Sequence, residues 1–126
     1  MIIVDSSGWI EIFTRGPRRQ EFRRWIEEAE GVLVPSIVVY EVYKVIRRGA
    51  SEDEADEAVA RLREFTPVPL DDNLAVEAAE ASLRKGLGMA DAVLYATAQA
   101  RGVTLVTSDS HFQGLPGVEY IALPSA

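Results

Sequence analysis

A single α/β domain, built on a central and mostly parallel sheet of about five short strands flanked by helices, is the fold this sequence predicts. Three observations carry the prediction. The chain has 126 residues, a length that suits one domain. Five short runs of apolar, β-favouring residues are nearly continuous rather than alternating, as in strands covered on both faces. Between them lie segments with helical periodicity and recognisable caps, and strands alternating with helices build layered α/β folds.

The first run, Ile2–Val4, stops at Asp5, too soon for a signal peptide or a membrane span. Within Arg19–Glu30, Phe22, Trp25, Ile26 and Ala29 share one helical face. Val32–Val34 forms the second strand, and Ser36 is expected to cap a helix to about Arg48, ended by Gly49. Ser51-Glu52-Asp53-Glu54 reads as a capping box opening a helix to about Phe65. Val68–Leu70 follows as a strand, then a helix capped by Asp72 and stopped after Lys85 by Gly86. A last helix over Met89–Arg101 closes at Gly102, between the strands Val103–Val106 and Tyr120–Leu123 and the rest. No repeat or linker interrupts the pattern, so residues 1–126 are expected to form one domain.

Composition narrows the chemistry. Apolar residues make up 48% and charged residues 26%, close to globular averages. The absence of cysteine removes disulfides, thiolate metal sites and Cys nucleophiles. A single histidine, His111, excludes a multi-histidine centre. A soluble, cytoplasmic protein is expected, with no membrane role. The net charge of −7 argues at first against a nucleic-acid partner. The charge is uneven, however: residues 1–50 carry a net +1 and residues 51–126 a net −8. Arg15, Arg18, Arg19, Arg23 and Arg24 fall close together, as do Lys44, Arg47 and Arg48. Each cluster suits either a solvated helix face or a phosphate-contacting surface.

Most acids sit comfortably on helix surfaces, but four do not. Glu41 lies on a helical stripe with Val38, Val42 and Val45, and Asp91 heads another with Leu94, Tyr95 and Ala98. An ionised carboxylate on a core-facing stripe is costly unless it is paired, protonated or bound to a cation. For Glu41 a buried salt bridge is the alternative, and for Asp91 stabilisation by the helix dipole. Asp5 ends the first strand and Asp109 follows the fourth, at the strand ends where α/β folds bind ligands. A helix N-cap and an Asx-turn are their alternatives. Carboxylates gathered in one pocket repel one another, and a hard divalent cation is the usual remedy. Mg²⁺ or Mn²⁺ fits such an oxygen-rich set and can promote phosphodiester hydrolysis. The hydroxyls of Ser6 and Thr107 stand ready to orient a carboxylate or a metal water, or to close local turns.

Four pieces of sequence carry a resemblance. They are Val4-Asp5-Ser6-Ser7-Gly8-Trp9-Ile10-Glu11, Pro35-Ser36-Ile37-Val38-Val39-Tyr40-Glu41-Val42, Met89-Ala90-Asp91-Ala92-Val93-Leu94-Tyr95-Ala96-Thr97-Ala98 and Leu105-Val106-Thr107-Ser108-Asp109-Ser110-His111-Phe112. In this order they resemble a PIN-domain ribonuclease and, in short single-domain form, a VapC toxin of a type II toxin–antitoxin pair. The resemblance implies that Asp5, Glu41, Asp91 and Asp109 form an acidic metal-binding quartet for Mg²⁺ or Mn²⁺. It implies hydrolysis of RNA phosphodiester bonds by metal-activated water, and a PIN-like fold. Dimerisation is implied too, as is inhibition by a small antitoxin protein covering the active-site groove. Arg15, Arg18, Arg19 and Arg23 are the candidates for RNA-backbone contacts. One departure stands out: many relatives carry an Asp two residues after the position matching Asp109, and here it is His111, which is left outside the core set. That departure keeps open a catalytically silent, protein-binding PIN-like module.

Other α/β chemistries fit less well. A receiver-like phosphoacceptor needs paired acids after its first strand and a late lysine, yet Ser6-Ser7 follow Asp5 and no Lys follows Lys85. A dehalogenase-type phosphatase needs a second Asp where Ser7 stands. Neither a Gly-x-Ser-x-Gly elbow nor a Gly-x-Gly-x-x-Gly turn is present.

Overall fold

In a computed structural model, which describes residues 1–124, the chain folds around one five-stranded, wholly parallel sheet. The strands are β1 (Ile2–Val4), β2 (Val32–Pro35), β3 (Thr66–Val68), β4 (Thr104–Thr107) and β5 (Val118–Tyr120). They lie in the order β3-β2-β1-β4-β5, which puts β1 at the centre beside β4. The helices among the described residues are α1 (Ser6–Phe13), α2 (Arg19–Glu28), α3 (Ser36–Gly49), α4 (Glu52–Leu62), α5 (Asp72–Lys85) and α6 (Met89–Arg101). A single 3₁₀ turn spans Ser110–Phe112.

Local chemistry explains most of the boundaries. The Ser51 hydroxyl accepts from the Glu54 amide at 3.1 Å and opens α4, as its capping box requires. Gly86 and Gly102 close α5 and α6 with left-handed backbones at φ +71° and +64°. Asp71 rather than Asp72 caps α5, its carboxylate accepting from the Leu74 amide at 2.9 Å. Ser36 is the first residue of α3 and makes no capping bond; Pro35 precedes it as the flanking residue.

Both edge strands begin earlier than the apolar runs suggest. On β3 the prolines decide: Pro67 pairs with Val34 because an edge strand tolerates one missing N–H, and Pro69 then ends the ladder. On β5 pairing starts at Val118, directly after Gly117 turns the chain at φ +79°. The helix α1 has no counterpart in the sequence reading. Its run Trp9-Ile10-Glu11-Ile12-Phe13 lacks a clean polar face because sheet, α2 and α3 all pack around it.

The core is continuous across both faces of the sheet, with Ile3, Val4, Phe22, Val38, Val42, Leu105, Val106 and Phe112 effectively inaccessible. Trp9 stacks on Phe13 with centroids 5.9 Å apart and meets Phe65 at 5.3 Å. The turn from α1 into α2 is locked by Glu11. Its carboxylate accepts from Arg18 Nη1 at 2.8 Å and from the Arg18 amide at 3.1 Å. Packing is also close at Gly8, where an added Cβ would lie 2.6 Å from the Phe22 ring and 2.6 Å from a Val4 methyl. That approach seats the start of α1 tightly against β1.

Gly8→Ala is therefore expected to destabilise the fold. Alanine improves helix propensity by about 1 kcal/mol, but overpacking two fully buried side chains costs about 1–3 kcal/mol. Denaturant unfolding should show a lowered midpoint; a raised one would show that the core yields at this point.

Candidate active site

Because all five strands run parallel, their carboxyl ends meet at one edge, and β1 beside β4 brings their extensions together. Val4 pairs with Val106, and the Asp5 amide donates to the Val106 carbonyl at 2.9 Å. Asp5 thereby leaves the sheet next to Thr107 and becomes the flanking residue of α1. Its backbone takes the N-cap position, yet its side chain makes no capping bond. That carboxylate is 4% exposed and turns to hydroxyls instead. Thr107 Oγ1 donates to Oδ2 at 2.7 Å, Ser7 Oγ to the same oxygen at 3.0 Å, and Ser6 Oγ reaches Oδ1 at 3.3 Å. Behind them, the Ser108 amide donates to Ser7 Oγ at 3.2 Å and the Asp109 amide to Thr107 Oγ1 at 2.9 Å. Ser7 was not singled out by the sequence, where two adjacent serines give no clue to which one faces the carboxylate.

The helices supply the other acids. α3 packs against both α1 and α6, and Val38, Val42 and Ile46 are its buried stripe. Ile46 thus replaces Val45, which is exposed, as the inner residue one turn beyond Val42. Glu41 lies beside this stripe, half-buried. Asp91 sits in the first turn of α6, where the helix dipole favours a negative charge, and Leu94, Tyr95 and Ala98 behind it are buried as expected. Asp109 opens the 3₁₀ turn, its carboxylate accepting from the His111 amide at 2.9 Å.

His111 enters the cluster that the sequence reading left it out of. Its Nδ1 lies 3.0 Å from Asp91 Oδ2 and 3.5 Å from Asp109 Oδ1. One ligand atom from each of Asp91, Asp109 and His111 falls within 4.8 Å of the other two.

Electrostatically this edge is under-compensated. Burial raises the Asp5 carboxyl above its usual range, the hydroxyls of Thr107 and Ser7 oppose that rise, and the charge of Asp109 adds to it. Glu41 is raised first by burial and then by the charges of Asp5, Asp91 and Asp109, with the Ser6 hydroxyl opposing. Those mutual charge effects bring all four acids into one electrostatic site. Hydrogen bonding to Asp91 raises His111 in turn. Among the described residues, no lysine or arginine lies within ion-pair distance of these four acids. The buried salt bridge considered for Glu41 is thus not formed there. A donor set of carboxylates around a charge deficit fits a divalent cation with oxygen ligands.

The arginines divide. Arg15 and Arg23 are exposed and wall one groove beside Arg61, with Glu54 and Glu57 in the same wall. Arg18 is tied to Glu11, and Arg19 donates to the carbonyls of Gly16 and Arg15 at 3.1 and 3.4 Å. No described helix is long and apolar enough to cross a membrane.

Comparison with known proteins agrees with this architecture. The family model described as PIN domain matches residues 2–118. Among solved structures, VapC20 of Mycobacterium tuberculosis, a Sarcin-Ricin loop cleaving toxin, is similar at TM-score 0.80 and 22% identity, over 94% of this chain and 98% of that one. A toxin–antitoxin complex from Klebsiella pneumoniae gives 0.77 and 22%, over 96% and 100%. The DNA-bound VapBC of Salmonella typhimurium gives 0.75 and 18%, over 98% of each chain. A search of curated protein sequences finds no match.

Two expectations come from the Asp5 environment. A carboxyl raised in the fold contributes stability below its unfolded pKa and loses it as pH climbs through the raised folded value. Metal-free protein should therefore melt lower at pH 7 than near pH 4 on account of Asp5. An Asn at position 5 can keep its carbonyl toward Thr107 and Ser7 and its amide toward Ser6, so Asp5→Asn should melt higher than wild type at pH 7. Thermal melts across pH in chelator check this; an equal or lower neutral melting point refutes the charge penalty. Thr107→Val, which keeps shape but strands the Asp109 amide and leaves Asp5 Oδ2 with Ser7 as its one hydroxyl donor, should cost about 1–3 kcal/mol in denaturant unfolding.

Proposed function

The chain belongs to the PIN domain family, and from that membership we propose that it is a metal-dependent endoribonuclease, the toxin of a type II toxin–antitoxin pair. The observation that carries the reading is the convergence of Asp5, Glu41, Asp91 and Asp109 at one sheet edge, where no lysine or arginine among the described residues balances them. The toxin reading draws support from the similar structures, which include toxin–antitoxin complexes.

In this reading Asp5, Glu41, Asp91 and Asp109 hold Mg²⁺ or Mn²⁺. When bound, such an ion supplies water activation and charge neutralisation at the scissile phosphate. The remaining work falls to the chain's own groups. Ser7 and Thr107 hold the Asp5 carboxylate in one orientation, and Ser6 reaches its other oxygen. Packing of α3 and α6 sets the other two helix-borne carboxylates, and the capped 3₁₀ turn fixes Asp109. The RNA backbone is met first by Arg15 and Arg23, whose guanidinium groups face solvent; Arg18 and Arg19 are engaged by protein acceptors and shape the same loop.

An antitoxin is the proposed partner, covering the edge and the groove beside it. Between α3 and α4 runs a groove of about 780 Å³, lined by Val39, Tyr43 and Val59 and rimmed by Arg47, Arg48 and Arg63. Tyr40 and Lys44, which flank Glu41 on α3, belong to its wall. A homodimer is proposed on the same footing, with Val76 and Leu83 of α5 and Met89 of α6 as exposed apolar side chains for a second copy to cover.

Asp5→Asn and Asp91→Asn should each lower Mg²⁺- or Mn²⁺-dependent cleavage of RNA by at least about 100-fold, the upper end of what even outer-shell partners of a metal cost. EDTA should abolish the wild-type activity. Because Asp5→Asn is expected to remain folded, its loss of activity reads on chemistry. Cleavage that survives both substitution and chelation refutes the metal-nuclease reading, and calorimetry without Mg²⁺ or Mn²⁺ uptake would favour the silent binding module.

A further inference from the structure

The cluster at the sheet edge holds one donor that is not an oxygen. His111 is carried on a turn with little freedom. Phe112, its neighbour, is fully buried, and the Asp109 carboxylate holds the His111 amide at 2.9 Å. The imidazole itself is 70% exposed, so packing does not explain where it points. It points at Asp91, with Nδ1 3.0 Å from Oδ2, and stands 3.5 Å from Asp109 Oδ1. Adjacent donors around a six-coordinate ion with bonds of about 2.1 Å lie about 3.0 Å apart. Nδ1 and Asp91 Oδ2 stand at that spacing, Asp109 Oδ1 lies beyond it at 3.5 Å from Nδ1, and all three residues offer a ligand atom within 4.8 Å of one another, close enough for one cation to draw them together.

We propose that His111 binds the cation of this site through Nδ1 alongside Asp91 and Asp109, and that this nitrogen makes the site prefer Mn²⁺ to Mg²⁺. The inference rests on the metal-nuclease reading above and refines it. Mg²⁺ is a hard ion that favours oxygen and dehydrates reluctantly, whereas first-row transition metals accept imidazole. An Asp at position 111 would offer a further oxygen and a further negative charge. With His the set loses that charge and gains a softer donor, and both changes work against Mg²⁺ more than against Mn²⁺. The other acids of the site keep their places, since Asp5 is held by Ser7 and Thr107 rather than by the imidazole.

Mn²⁺ and Mg²⁺ binding to the full chain, measured by calorimetry and by competition, tests the preference. Pulsed electron paramagnetic resonance of the Mn²⁺-loaded protein tests the ligand directly. Wild type should bind Mn²⁺ at least about tenfold more tightly than Mg²⁺, the scale on which a changed metal environment acts, and should show ¹⁴N coupling to the ion. His111→Gln should lose that coupling, and His111→Asp should bind Mg²⁺ more tightly and narrow the Mn²⁺-to-Mg²⁺ ratio severalfold. Because the side chain is exposed, melting points should stay near wild type in both variants. Mn²⁺ binding without ¹⁴N coupling, or an unchanged ratio in His111→Asp, overturns the inference while leaving the nuclease reading intact. Failure to bind either ion overturns both.

Discussion

Asp5 places a carboxylate that is almost wholly buried at the carboxyl edge of the sheet, and much of the structure answers to the cost of keeping it there. Burial alone would drive this side chain to its neutral form or out into water. Three hydroxyls, one from across the β1–β4 junction and two from the first turn of α1, hold it in place. That arrangement needs β1 and β4 side by side, which the strand order provides, and it needs α1 to start immediately after the strand. The tight seat of Gly8 against Phe22 and Val4 meets the second need. The remaining acids inherit the problem, because each lies in the field of the others.

How much of this could be read from the sequence depended on how local the cause was. Asp5 and Asp109 were legible because short apolar runs mark parallel strands, and acids just beyond such runs fall at one edge. Glu41 and Asp91 were legible because a carboxylate on an apolar helical stripe contradicts its surroundings. The register of that stripe was less secure: Ile46 faces inward where Val45 had been expected. Features set by tertiary contact escaped. The helix α1 is enclosed on several sides and shows no amphipathic period, while β3 and β5 owe their limits to prolines and to a glycine turn. His111 lies 20 positions from Asp91 on an exposed turn, and no periodicity connects the two.

The charge distribution reconciles an acidic chain with the proposed RNA substrate. The net −7 is concentrated beyond residue 50, where Glu52, Asp53 and Glu54 crowd the dipole-stabilised first turn of α4. Around the edge itself the sign is decided by the four acids and whatever cation joins them. Lys44, Arg47 and Arg48 of α3 and Arg63 at the end of α4 rim one groove, in which Asp56 is the only acid among the described residues. At Debye lengths of about 8–10 Å, an approaching polyanion responds to such local patches and little to the total.

The hydroxyl bridge between β1 and β4 also fixes a direction for its protons. Thr107 Oγ1 and Ser7 Oγ each receive a backbone N–H, from Asp109 and Ser108, and each has a single proton of its own. Both protons are committed to the same Asp5 oxygen. Neither hydroxyl can then donate to an incoming phosphate or deliver a proton to a departing group without first releasing Asp5. While those bonds stand, the bridge is an anchor for the Asp5 carboxylate, and in the proposed reaction proton transfer falls to other groups.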